Sequence, residues 1–153
     1  VETNRLFRGF SAEEIKNVAT LCASRVLEEG ERLMREGEAN SSLFLLDQGC
    51  VRFYRRRAGY QPQLLKQLEA GSFFGEVSVL DGEPALYDAV AAGAGSIRVI
   101  RQQALLELLT QESPVTFKLL RNLLGVVVER SRELDERFAL FAGNVSLLRR
   151  YNN

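Results

Sequence analysis

The chain has 153 residues, 46% of them hydrophobic and 26% charged, which suits one soluble domain with a full core. Twenty basic residues balance twenty acidic ones, so no charge excess points to nucleic acid or to a membrane surface. Histidine is absent, which removes Ser-His-Asp and Cys-His catalysis, His-liganded metals and the usual general base together, and no enzyme activity is expected.

The two cysteines, Cys22 and Cys50, are far apart and lack a CxxC neighbour, the pattern of a reduced cytoplasmic protein. No stretch of the chain reads as a signal peptide or a membrane-spanning run, and neither is expected. The chain begins at Val1 without a methionine, so a longer parent is expected.

Ser11 followed by Glu14 forms a capping box, and Ile15, Val18, Ala19 and Cys22 follow at helical spacing. Phe10, just before the cap, is placed to staple onto Ile15. Cys22 on this apolar face reads as a core residue.

From residue 25 to 101 glycines punctuate short alternating runs at residues 43–46, 51–54, 64–68, 87–91 and 97–100. Such spacing argues a β-sandwich or jelly roll. Arg52, Arg55, Arg56 and Arg57 cluster at a turn and read as solvated charges, with a phosphate-binding role as the sharper alternative. Arg98 and Arg101 flank the last strand and read as edge protection, with approach to a ligand as the alternative that their spacing leaves open.

Residues 71–92 have the form of an anion cradle: a strand-like Ser72-Phe73-Phe74, then Gly75, a short helical turn opening at Glu76, Val77 and Ser78, and a second strand. Glycine lets backbone come close to a ligand, and the first amides of the turn point outward. Glu76, set among Phe73, Phe74, Val77, Val79 and Leu80, is expected to be partly buried and to need a donor.

Beyond residue 102 the period becomes helical. A short helix is expected over 103–109, and Ser113-Pro114 supplies a cap and an N1 proline for a long one over 114–142, stopping at Gly143-Asn144. Phe117, Leu120, Leu124, Val127, Ser131, Leu134, Phe138 and Phe141 follow a 3,4 spacing over four heptads, a coiled-coil seam. Leu119, Leu123 and Val126 make a second stripe for packing on the roll. Two stripes favour a parallel homodimer through 114–142, in which Arg130 at g faces Asp135 at e; the alternative is that Phe138 and Phe141 fold back on their own chain.

The run from Phe74 through Gly75, Glu76 and Ser78 to Pro84 resembles the phosphate-binding cassette of the cyclic-nucleotide-binding domain family. Two further stretches, Gly30-Glu31 to Gly37-Glu38 and Ser42 to Tyr54, are similar to that family's in the same order, so the resemblance covers about residues 6–133. It implies a mainly β fold with flanking helices: an eight-stranded β-roll, or double-stranded jelly roll, with an N-terminal helix and a long C-terminal helix. The division that follows is a roll with its N-terminal helix over 1–112, a lid or dimerisation helix over 113–142 and a tail over 143–153.

The resemblance also implies cAMP or cGMP as ligand, with no other cofactor, and a regulatory role in which binding moves the C-terminal helix. Its ligand-binding residues are then Phe74, Gly75, Glu76, Val77, Ser78, Leu86, Tyr87 and Ala89 from the cassette, with Ser131 and Arg132 from the helix. In the family, a carboxylate at the Glu76 position accepts from the ribose 2′-hydroxyl and an arginine after the proline pairs with the phosphate. Here Ala85-Leu86 stand where that arginine is expected and Ala89 replaces a hydroxyl residue, while Asp88 adds a negative charge. Weak or altered nucleotide binding follows, with another small ligand in its place or, alternatively, a degenerate module serving dimerisation or protein contact. The relatives' DNA-binding helices would follow the long helix, and the ten residues after Gly143 are too few for them, so no DNA binding by this chain alone is expected.

Overall fold

The computed structural model describes residues 4–151, with side chains through residue 146. A 3₁₀ turn (Arg5–Phe7) leads into α1 (Ala12–Ala19), where Ser11 and Glu14 complete the capping box. Eight strands follow: β1 (Cys22–Leu27), β2 (Arg32–Met34), β3 (Ser42–Gln48), β4 (Cys50–Arg55), β5 (Gln63–Glu69), β6 (Phe73–Phe74), β7 (Asp88–Ala91) and β8 (Gly95–Arg101). Helix α2 (Glu76–Asp81) interrupts them after β6, and α3 (Gln102–Leu109) and α4 (Pro114–Tyr151) close the chain.

The strands form two antiparallel four-stranded sheets, in the orders β1-β8-β3-β6 and β2-β7-β4-β5. The expected β-roll with flanking helices is therefore the observed fold. Each alternating run of the sequence lies on a strand. Neither β1 nor β2 showed such alternation: β1 is exposed along most of its length, so its sequence carries no inward face to read.

Strand β3 explains how one roll supports two cores. Leu43 and Leu45 point to the helix side, where Leu6, Ile15, Val18, Leu119 and Leu123 meet them. Phe44 and Leu46 point between the sheets, onto Val51, Phe53 and Phe74. Both faces are dry because side chains alternate along a strand and each face has its own cover.

Two expectations change here. Arg98 and Arg101 guard no edge, since β8 lies between β1 and β3. Arg98 is only 5% exposed; it donates to both Asp47 oxygens at 2.8 and 2.7 Å and stacks on Phe7, on the helix side of the sheet. Helix α4 runs on through Gly143-Asn144 to Tyr151. A Gly-Asn pair stops a helix when the backbone turns left-handed, and Gly143 is not among the glycines with positive φ. Side chains of Leu147, Leu148, Arg149 and Arg150 lie outside the described residues.

The basic cluster on and just after β4 is tied to its surroundings at the surface. Arg55 reaches Glu36 at 3.6 Å, Arg56 reaches Asp88 at 3.4 Å, and Arg52 donates to Gln67 at 2.9 Å.

Candidate ligand-binding site

The site is assembled where β6 ends and α2 begins. Gly75 has φ +87°, and a Cβ there would lie 2.5 Å from the Ser42 carbonyl and 3.0 Å from the Asn40 amide nitrogen, so any side chain collides with β3. Asn40 locks the approach, donating to the carbonyls of Ser42 at 2.9 Å and Gly75 at 3.3 Å. The far end of α2 is held by Gln102, which donates to the Val79 carbonyl at 2.9 Å. A short helix pinned at both ends presents its first residue, Glu76, at a fixed place.

Glu76 is fully buried, at 0% exposure. Its Oε1 accepts from Arg130 of α4, and its Oε2 has no hydrogen-bond partner among the described residues. A buried carboxylate with one donor is under-satisfied, and each added donor to a charged group contributes about 1.5–3 kcal/mol.

Around this pair lies a cavity of about 20 Å³, room for roughly one water-sized molecule. Its apolar wall is Met34, Phe53, Phe74, Leu86 and Tyr87, with Phe53 edge-on to both Phe74 and Tyr87. Gly75, Val77 and Ser78 close the α2 side, and Lys66 and Arg130 are the cations. Lys66 sits opposite Phe53 in the β4–β5 register, with its ammonium 4.8 Å from the centre of that ring and 5.6 Å from that of Tyr87. Burial, reinforced by Arg130, pulls its pKa down to about 8.

Of the residues singled out from the sequence, the structure brings Phe74, Gly75, Glu76, Val77, Ser78, Leu86 and Tyr87 to this cavity. Ala89 is packed in the core between the sheets and is not on its wall. Ser131 is exposed, and Arg132 lines a different surface groove with Arg5, Arg8 and Arg121. Arg130, one residue earlier, is the helix side chain that reaches in. One step along an α-helix turns about 100°, enough to exchange the pocket for the seam. Asp88 does not act on the cavity: it accepts from the Glu36 amide at 2.8 Å and pairs with Arg56.

Lys66 went unread in the sequence although a signal existed. It lies two residues before Leu68, which packs on the inter-sheet core, so the two share a face; a register shift between residues 64 and 66 takes the exposed Leu64 out of that pattern.

A family model described as the cyclic nucleotide-binding domain matches residues 24–112, more than half of the chain. The chain belongs to the cyclic nucleotide-binding domain family. It is 28% identical over 130 residues to the cyclic AMP receptor protein of Thermus thermophilus, covering 85% of this chain and 58% of that one. With a cAMP-dependent protein kinase regulatory subunit of Mycosarcoma maydis it shares 27% identity over 139 residues, 90% of this chain and 25% of the other. The crystal structure of the Thermus thermophilus catabolite activator protein superposes with a TM-score of 0.82 at 27% identity, covering 91% of this chain and 63% of that one. This chain thus spans less than two thirds of the length of each. Among the described residues no helix is long and apolar enough to cross a membrane.

Proposed function

We propose that this chain is a regulatory module that binds a cyclic nucleotide of the cAMP or cGMP kind at Glu76 and passes the event to α4. The observation that carries this reading is the buried Glu76, whose Oε2 lacks a donor while Oε1 is held by Arg130. A sugar hydroxyl donating to Oε2 completes the carboxylate's hydrogen bonding. Because the other oxygen is tied to α4, a ligand reaching Glu76 meets that helix directly. The cavity of about 20 Å³ is also far below the roughly 300–1,000 Å³ of ordinary ligand sites, so access requires Arg130 and its part of α4 to give way.

Affinity for cAMP is expected to be low. Leu86 offers no cation, and lacking an arginine fork costs roughly one to four decades in Kd. In this reading the roll over 1–112 is the sensor and the helix over 113–142 is lid and dimer contact. The exposed seam from Phe117 to Phe141 supports a homodimer. No catalytic role is assigned.

Isothermal titration of the purified chain with cAMP and, in parallel, cGMP tests the proposal. Saturable binding of either, abolished by Glu76→Ala, is expected. No heat up to millimolar nucleotide overturns it in favour of a dimerisation module, a reading that Arg130 filling the Glu76 site already favours as second.

A further inference from the structure

The charges around the cavity do not balance. Arg130 and Glu76 neutralise one another, which leaves the Lys66 ammonium over the faces of Phe53 and Tyr87 with no ion pair or hydrogen bond among the described residues. Glu76 and, more weakly, Glu133 of α4 act on it only at longer range, through their fields, with Arg130 opposing them. A cation held in a half-dry site without a counter-ion is costly unless an anion completes it.

We infer that Lys66 is the anion-binding group of this cavity, the counter-ion for the phosphate of the cyclic nucleotide. This rests on the reading of the site given above. The cation comes from β5, on the second sheet, and not from the α2–β7 segment where the cassette has Leu86. A single ammonium is a point charge without the two-pronged geometry of a guanidinium, so it selects for charge more than for orientation. It also titrates: with the ammonium's pKa at about 8, anion affinity falls as the pH rises through that value; Glu76 of α2, Arg130 and Glu133 of α4 and Tyr87 are the other ionisable groups around it.

The test titrates cAMP, and adenosine as the same base and ribose without the phosphate, into wild type, Lys66→Met and Lys66→Arg between pH 7 and about pH 9.5, with circular dichroism to establish folding. Expected is a wild type that prefers cAMP, with a Kd rising by up to about tenfold per pH unit above the Lys66 pKa. Lys66→Met should lose about tenfold or more of the cAMP affinity, fall to the adenosine level and show no pH dependence. Lys66→Arg should retain binding without the alkaline fall. If wild type binds cAMP and Lys66→Met matches it within about twofold at all pH values, the role of Lys66 is overturned and the cyclic-nucleotide reading stands. If wild type binds adenosine but gains nothing from the phosphate, the role of Lys66 also falls. If neither compound binds, both readings fall together.

Discussion

Helix α4 has two halves made by the same helical period but in opposite situations. Before Arg130 it is docked: Leu119, Leu123 and Val126 are buried against the roll, and Asn122 donates to the carbonyls of Leu6 and Arg8 at 2.8 and 2.9 Å. Lys118 reaches Glu14 of α1 at 2.6 Å, and Arg5 reaches Glu129 at 2.6 Å. After Arg130 every side chain from Ser131 to Asn144 is exposed, including Leu134 at 64% and Phe138 at 71%. The same spacing rule thus gives a core element and an unpartnered one. An apolar stripe says that a helix has something to bury; it does not say against what.

The largest expected effect lies in the docked half. Leu123→Ala removes a side chain that is 1% exposed, and a loss of about 2–5 kcal/mol is expected in urea unfolding. A cost below about 1 kcal/mol would mean that α4 is not part of the roll's core. In the outer half, the proposed homodimer predicts that Leu134→Glu with Phe138→Glu leaves the unfolding of the roll unchanged while raising the dissociation constant of that dimer by about a hundredfold or more, roughly 2.7 kcal/mol. Sedimentation equilibrium decides it, and an unchanged assembly state would separate the seam from dimerisation.

At the junction of the halves, Lys66 lies beside Arg130. Its folded pKa of about 8 is below the ordinary 10.5, so between these values the unfolded chain holds more protons and stability rises with pH. Below pH 8 both states are protonated and the folded one bears the full desolvation cost. Lys66→Met is therefore expected to be more stable at pH 7 by about 1–2 kcal/mol, allowing for the water that still reaches the ammonium, with the gap closing towards pH 10.5. Thermal melts across that range check the sign; a gap that widened with pH would place Lys66 in a stabilising pair instead.

The smallest effect concerns the end of the outer half. Gly143 lies within α4 with nothing within 4 Å of a Cβ built on it. Gly143→Ala should therefore stabilise the helix by about 0.5–1 kcal/mol, seen as added helical ellipticity. A loss would restore the helix stop that the Gly-Asn pair suggests.

Much of the roll was legible because its interior strands must alternate or run apolar to bury a face. The exposed β1 left no such trace. The site was legible in part: Gly75, Glu76 and the turn that carries them are contiguous, so their spacing alone places them together. Lys66 and Arg130 come from elements 10 and 54 residues away from Glu76, and their inward direction depends on register and helix phase.

By itself the sequence determined strands β3 to β8, the capped starts of α1 and α4, the glycine that admits a buried carboxylate and the two apolar stripes of α4, all properties set by local sterics and periodicity. Tertiary structure alone decided that β8 is interior, that Asp88 turns away to Arg56, and that Arg130 rather than Ser131 meets Glu76. A rotation of about 100° or a one-residue shift reverses each side chain's surroundings, and only packing against the rest of the chain fixes it.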